Sequence, residues 1–329
     1  MIPLPSKPRS TPWIECLLRL SASLILGLAV LVRLASEASP HVQAPATGRD
    51  DLGFSGLVSI GERDLFVHCE GAGKPLVILE GGLGGGTSDW PLVQPELARH
   101  TRVCSYDRAG LGSSDPAEVQ PHNATDASRD LQALLNVMRV DTPVVLVGFS
   151  IGGLLARYHA SMHPRDVSAL VLIDPTPPVW TAMTLSGYAL RSRSDGLQEF
   201  SGLDPDAPEM LDILGVSEAV FTGNAPGAPV YMLTSGIKSL HPGMYGDERH
   251  QIATRLQEDQ ARELDAVHEV AALCTHYLPM DCPDVVNAFI LRVLDEAAEP
   301  PAGTSRSHEL YSSEPLRPRR KAWALFKVG

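Results

Sequence analysis

One stretch of ten residues, V-V-L-V-G-F-S-I-G-G at positions 144–153, constrains the fold of this chain more than any other. Four branched apolar residues open it, as a buried strand of a parallel sheet requires. Beyond it, Leu154, Leu155 and Tyr158 recur at helical spacing, so the period of the pattern changes at Ser150. The stretch therefore predicts a strand, a tight turn and a helix, with Ser150 at the turn.

Two glycines flank Ser150 in the pattern G-x-S-x-G, Gly148 before it and Gly152 after it. Small residues are needed at these positions because a sharp strand-to-helix turn crowds its neighbours against the serine backbone. Such a turn exposes the hydroxyl and puts the amide of Ile151 at a helix N-terminus, where unpaired N–H groups favour negative charge. The pattern predicts a nucleophilic Ser150, with the Ile151 amide placed to stabilise an oxyanion.

The rest of the chain alternates between strand-like and helical patterns. Seven further strands are predicted at residues 57–60, 65–69, 76–80, 101–106, 169–174, 230–234 and 269–273. Helices are predicted at 90–100, 131–138 and 248–265, and a closing helix carries an apolar face from Val285 to Leu294. This alternation favours an α/β fold with a mostly parallel, eight-stranded sheet flanked by helices. Residues 175–229 contain prolines, glycines and short apolar pieces, and they predict a helical lid inserted after the sixth strand.

Composition limits the partners of the protein. The 329 residues carry a formal charge of -12, which argues against nucleic acid or an anionic membrane surface as a general partner. The five cysteines show no metal-ligand spacing, and no cofactor motif is recognised. Cys69 and Cys104 lie in apolar strand-like runs and are predicted to be buried thiols. Cys274 and Cys282 bracket a short loop, and the sequence leaves open whether they pair.

The first 38 residues have the character of a targeting segment. An uncharged apolar core at residues 20–32 lies between Arg19 and Arg33, and it is shorter than a typical membrane span. A cleaved signal peptide fits this pattern. A signal anchor fits as well, because the two arginines can snorkel, and we favour the anchor. Either way the basic N-terminal side predicts a catalytic domain that is not cytosolic.

The remaining boundaries follow from composition. A polar linker is predicted at residues 39–52, a single globular domain at 53–298 and a basic, disordered tail at 299–329. Asn123 begins an N-A-T glycosylation sequon, and the sequence leaves its use open. The oligomeric state is not predicted.

Three segments together resemble those of the α/β-hydrolase superfamily, in particular its secreted or membrane-anchored serine hydrolases. They are L-E-G-G-L-G-G at 79–85, Y-D-R-A-G-L-G-S-S-D at 106–115 and V-L-V-G-F-S-I-G-G at 145–153, and the resemblance covers about residues 53–298. It implies the α/β-hydrolase fold, and it implies that the amide of Leu83 serves the oxyanion hole together with that of Ile151. Most family members have histidine where this chain has Phe149. We expect the charged residues of 107–115 to hold their own turn by hydrogen bonds rather than to touch substrate.

The resemblance also suggests the partners of Ser150. His276 lies between the last strand and the closing helix, where the family keeps its catalytic base. The usual place of the acid, after the seventh strand, holds no carboxylate before Asp247. Some members place the acid at the end of the sixth strand, where this chain has Asp174, so Asp174 is the preferred acid and Asp247 the alternative.

These residues predict an esterase or lipase-like serine hydrolase that acts on a small-molecule substrate through an acyl-enzyme on Ser150, with no cofactor. Amide, thioester and carbon-carbon bond hydrolysis stay open as alternatives, because a fold does not decide among them. A ligand-binding pseudoenzyme of the same fold is a further alternative, which the empty usual site of the acid supports.

Overall fold

The computed structural model describes residues 53–117, 122–178, 212–237 and 247–298. The predicted targeting segment, linker and C-terminal tail lie outside these residues, as does most of the predicted lid. None of the helices in the four described ranges combines the length and the apolar character needed to cross a membrane.

Eight strands form one sheet. They are β1 (Phe54–Ser59), β2 (Asp64–Glu70), β3 (Val77–Glu80), β4 (Val103–Tyr106), β5 (Val144–Phe149), β6 (Val167–Ile173), β7 (Val230–Ser235) and β8 (Val267–Ala271). Their order is β1-β2-β4-β3-β5-β6-β7-β8. β2 pairs antiparallel with β1 and β4, and every other pair is parallel. The predicted mostly parallel, eight-stranded sheet is confirmed, with the last strand two residues earlier than expected.

Seven α-helices have both ends within the described residues. They are α1 (Gln94–Leu97), α2 (Ala124–Val137), α3 (Ile151–Met162), α4 (Ile213–Thr222), α5 (Asp247–Glu263), α6 (Leu278–Asp281) and α7 (Pro283–Ala298). The long helix predicted at 90–100 is wrong, because only α1 forms there. Pro95 lies in its first turn, the one part of a helix that tolerates a residue without an N–H, so the helix cannot begin much earlier.

The core lies on both faces of the sheet, and successive residues of the central strands alternate between the two faces. Ile78 and Leu146 belong to one apolar cluster, which α2 covers with Leu131 and Leu134. The neighbours of these strand residues belong to a second cluster that contains the apolar face of α7; they include Val77, Leu79, Val145 and Val147. Burial on both faces explains why the central strands read as continuous apolar runs in the sequence.

Cys69 and Cys104 form a disulfide, so the prediction of two buried thiols was wrong. The reason is the antiparallel pairing of β2 with β4, in which the two residues lie directly opposite each other with their Cα atoms 4.0 Å apart. The sequence contained both strands but not their register, and the register brings the two sulfur atoms together. Cys274 and Cys282, the pair left open, form a second disulfide.

Candidate active site

Ser150 lies at the turn between β5 and α3, as the sequence predicted. Its φ of 55° and ψ of -122° are unusual for a residue with a side chain and cost about 1–3 kcal/mol. The surrounding backbone holds this conformation. The Ser150 amide donates to the carbonyl of Ile173, 3.0 Å away, and the Ser150 carbonyl accepts from the amides of Gly153 and Thr176.

The glycines of the turn are required by space. A Cβ atom at Gly148 would lie 2.6 Å from the carbonyl oxygen of Gly152, and one at Gly152 would lie 2.3 Å from the carbonyl oxygen of Gly81. Real Cβ atoms do not approach backbone so closely. The crowding predicted around Ser150 is confirmed, and it arises from the loop after β3 as well as from the turn itself.

His276 lies between β8 and α6, and its two ring nitrogens contact two of the predicted site residues. Nε2 is 3.0 Å from the hydroxyl oxygen of Ser150, and Nδ1 is 2.7 Å from Oδ2 of Asp174. The histidine side chain is 42% exposed, whereas Asp174 is 3% exposed. A buried carboxylate, an imidazole and a reachable hydroxyl therefore form one hydrogen-bonded chain.

Asp174 follows β6 directly, and its φ of 38° turns the side chain at the end of the strand. Besides the contact with His276, Oδ1 accepts from the Ser235 amide and from the side-chain amide of Gln257, and Oδ2 accepts from the Ser235 hydroxyl, all at 2.9 Å. Four donors around an ionised carboxylate match its acceptor-only chemistry. Asp247, the alternative acid, is the first residue of α5, and its side chain lies outside the described residues.

Sequence reasoning missed Ser235 and Gln257. Ser235 is the last residue of β7, next to the loop in which the family usually keeps its acid. Parallel neighbours end at the same edge of a sheet, so the end of β7 lies beside the end of β6. That adjacency was a signal for Ser235, whereas nothing in the sequence indicated that Gln257 of α5 reaches the carboxylate.

The two amides predicted for the oxyanion hole belong to the loop after β3 and to the first residue of α3. Leu83 follows the Gly81-Gly82 pair after β3, and its side chain is 52% exposed, whereas Ile151 is the buried first residue of α3. Within the described parts of the chain, neither amide N–H has a hydrogen-bond partner. A Cβ at Gly82 would be 3.1 Å from the ring of Phe149, so the Leu83 loop packs directly against the turn of Ser150.

Aromatic and acidic side chains complete the surroundings. The ring of Phe149 lies 5.2 Å from that of His276 and meets Trp90 edge-on at 6.4 Å, so the residue that replaces the usual histidine packs beside the imidazole. Asp89 accepts from the Gly82 amide at 2.7 Å. Burial raises the pKa of Asp89, while the Gly82 hydrogen bond and the nearby Arg108 guanidinium act in the opposite direction.

The charged residues at 107–115 were expected to hold their own turn, and Asp107 does accept from the Ser113 amide, but most of their hydrogen bonds reach other segments. Asp107 accepts from both the amide and the hydroxyl of Thr87 at 2.9 Å, and Asp115 accepts from the Asp64 amide at 2.8 Å. Arg108 is buried among the backbone carbonyls that follow β3.

A family model described as alpha/beta hydrolase fold matches residues 74–194. Among curated proteins, the 2-hydroxymuconate semialdehyde hydrolase of Pseudomonas sp. is 33% identical over 155 residues, which are 46% of this chain and 50% of that protein. The chain spans half or less of the length of the curated relatives that it matches.

Two solved structures share the fold. An esterase from Thermogutta terrifontis aligns with a TM-score of 0.54 and 20% identity, over 72% of this chain and 95% of its own. The thioesterase domain from the curacin biosynthetic pathway aligns with a TM-score of 0.51 and 18% identity, over 73% of this chain and all of its own. At these identities the likeness establishes the fold alone.

Proposed function

We propose that this chain, which belongs to the α/β-hydrolase superfamily, is a serine hydrolase that cleaves neutral, apolar esters through an acyl-enzyme on Ser150. The observation that carries the proposal is the continuous chain of hydrogen bonds from Ser150 through His276 to Asp174. A serine hydroxyl is a poor nucleophile until a base accepts its proton. Here His276 is placed to act as that base, and Asp174 is placed to orient it.

In the acylation step the Ser150 oxygen attacks the ester carbonyl carbon while Nε2 of His276 accepts the hydroxyl proton. Asp174 stays ionised and stabilises the imidazolium that forms. The carbonyl oxygen becomes an oxyanion, and the amides of Leu83 and Ile151 would donate to it. When the intermediate collapses, the carbon-oxygen bond to the leaving group breaks, and the alcohol departs with the proton from His276.

Deacylation repeats these steps with water. His276 accepts a proton from a water molecule, whose oxygen attacks the acyl carbon. When the second tetrahedral intermediate collapses, the bond between the acyl carbon and the Ser150 oxygen breaks, His276 gives its proton to that oxygen, and the carboxylic acid leaves. The bonds made and broken in acylation and deacylation balance with Ser150, His276, the ester and water as the reactants.

Two arguments support a neutral, apolar ester. The net charge of -12 offers no general attraction to anionic substrates, and apolar residues between 180 and 221 give the predicted lid an apolar character. Amide, thioester and carbon-carbon bonds are the alternatives to test, because a fold does not decide among them. The pseudoenzyme alternative loses its main support, because a buried carboxylate does accompany His276.

The test is hydrolysis of p-nitrophenyl esters from acetate to octanoate, with fluorophosphonate labelling of the same preparation. We expect Ser150 to be labelled and kcat/KM to rise a few-fold per carbon before it levels off, because each buried methylene contributes about 0.8 kcal/mol. Ser150→Ala is the matched control, and it should abolish both labelling and turnover while the fold is kept. Ester turnover that persists in this variant would contradict the mechanism. A flat response to chain length would contradict the apolar acyl pocket.

We also propose that the domain works outside the cytosol, attached to a membrane through residues 1–38 or released as a secreted protein. The two disulfides support this compartment, because disulfides persist mainly in oxidising surroundings.

A further inference from the structure

We infer that Arg108 is a positioning residue that aims the Leu83 amide at the oxyanion, with Glu80 and Tyr106 holding the arginine in place. The inference rests on the proposed function, since it concerns the oxyanion of the acyl transfer. From the sequence we predicted only that the charged residues of 107–115, Arg108 among them, hold their own turn.

Arg108 donates two hydrogen bonds to the backbone that follows β3. Its side chain is 2% exposed. Nη1 donates to the Gly81 carbonyl and Nη2 donates to the Gly82 carbonyl, both at 2.6 Å. A planar guanidinium presents its donors as a rigid fork, so bonding two successive carbonyls fixes the orientation of both peptide units.

Because the peptide bond is planar, hydrogen bonds to these two carbonyl oxygens also set the direction of the N–H groups in the same peptide units. In a trans peptide the C=O and the N–H point to opposite sides. The unit between Gly81 and Gly82 shows this arrangement, because its carbonyl faces Arg108 while its N–H donates to Asp89 at 2.7 Å. In the next unit the Gly82 carbonyl also faces Arg108, so the N–H of Leu83 points away from the guanidinium. The positive charge of Arg108 beside the Gly82 carbonyl also polarises this peptide unit and strengthens the Leu83 N–H as a hydrogen-bond donor.

Two further side chains hold the guanidinium. Glu80, itself buried, accepts from Nη1 at 2.6 Å, and its second oxygen accepts from the hydroxyl of Tyr106. Burial and the adjacent Glu80 carboxylate raise the pKa of Tyr106 well above its usual range, so the hydroxyl stays protonated and remains a donor. The charge of Arg108 is therefore paired with that of Glu80, and the guanidinium is held in the orientation that bonds the Gly81 and Gly82 carbonyls.

The test is Arg108→Lys, which keeps the charge beside Glu80 but replaces the fork by a single nitrogen. We expect kcat to fall by about 10- to 100-fold while KM changes by less than about threefold, because removal of a whole oxyanion donor costs about 10²–10³ in kcat. An alkyl trifluoromethyl ketone, whose adduct with Ser150 carries an oxyanion, should bind more weakly by the same factor as the loss of kcat/KM. An alcohol of the same chain length, which forms no oxyanion, should bind unchanged.

Arg157→Lys is the matched control. Arg157 of α3 is also buried, but its guanidinium donates to Glu263 of α5 rather than to the carbonyls after β3. This variant should lower the melting temperature without changing the ratio of ketone to alcohol affinity. If Arg108→Lys keeps the wild-type kcat and ketone affinity, or weakens ketone and alcohol equally, the positioning role is refuted.

Tyr106→Phe provides a second test that keeps all charges, in case Arg108→Lys does not fold. Loss of the hydroxyl loosens Glu80, and we expect kcat and ketone affinity to fall together by about two- to fivefold. Unchanged values would overturn the inference. The proposed function fails separately, if the wild-type protein neither reacts with fluorophosphonate nor hydrolyses esters.

Discussion

At the scale of single residues, Asp174 connects the packing of the protein to its proposed chemistry. Its carboxylate is buried at the end of β6, yet four donors surround it, so its oxygen atoms have hydrogen-bond partners without exposure to water. Three of these donors come from Ser235 and Gln257, which orient the carboxylate toward Nδ1 of His276. The carboxylate can then select the tautomer of His276 that leaves Nε2 free to accept the proton of Ser150.

We predict that Asp174→Asn lowers kcat by about 10³- to 10⁴-fold, because an amide no longer stabilises the imidazolium and favours the wrong tautomer. The change is nearly isosteric, so the fold should persist. Steady-state kinetics of this variant should be compared with those of Asp247→Asn, the same change at the alternative acid. A large loss in Asp247→Asn with near-normal turnover in Asp174→Asn would reverse the assignment.

At the scale of elements, the loop that carries His276 is short and closed by a disulfide. Cys274 and Cys282 are eight residues apart, with His276 between them, and Cys274 is buried in the core beneath the sheet edge. The Ile237 amide donates to the Cys274 carbonyl at 2.9 Å, which ties the loop to the residues after β7. The position of the His276 imidazole therefore depends on the Cys274–Cys282 disulfide as well as on its own hydrogen bonds.

We predict that Cys274→Ala combined with Cys282→Ala lowers the free energy of unfolding by about 2.5 kcal/mol, the contribution of closing a loop of this size. It should also reduce kcat, because the His276 loop gains freedom relative to Ser150. Urea denaturation and ester hydrolysis check the two effects. The matched control is Cys69→Ala with Cys104→Ala, which removes the disulfide between β2 and β4. It should lose stability but keep kcat, and an equal loss of kcat in both double variants would contradict a specific role of the His276 loop.

The elements that the sequence predicted correctly are those whose pattern is local. Central strands buried on both faces leave unbroken apolar runs, and the change of period at Ser150 marks the turn. Apart from the helix predicted at 90–100, the failures involve contacts between distant segments. Neither the pairing of Cys69 with Cys104 nor the donation of Gln257 to Asp174 leaves a local signal, because each depends on how strands and helices are arranged in space.

At the scale of the whole molecule, the topology gathers the proposed site at one edge of the sheet. Ser150 follows β5, Asp174 follows β6 and His276 follows β8, so all three residues lie beyond the carboxyl ends of strands. This is the edge at which open α/β sheets bind ligands. The residues are far apart in sequence, but parallel pairing of β5 with β6, β6 with β7 and β7 with β8 makes their meeting a direct result of the sheet order.

The proposed compartment yields the last prediction. The two disulfides belong to the catalytic domain, and its strongly negative net charge gives it no attraction to anionic membrane surfaces, so any attachment should depend on residues 1–38. A variant that lacks residues 1–38 should therefore be a soluble, folded esterase with both disulfides formed. The full chain should stay with membranes after extraction in alkaline carbonate, since hydrophobic insertion resists this treatment and electrostatic binding does not. Release of the full chain into the medium would refute the anchor and leave a cleaved signal peptide. Free thiols at Cys69, Cys104, Cys274 and Cys282 of the active protein would refute the oxidising compartment.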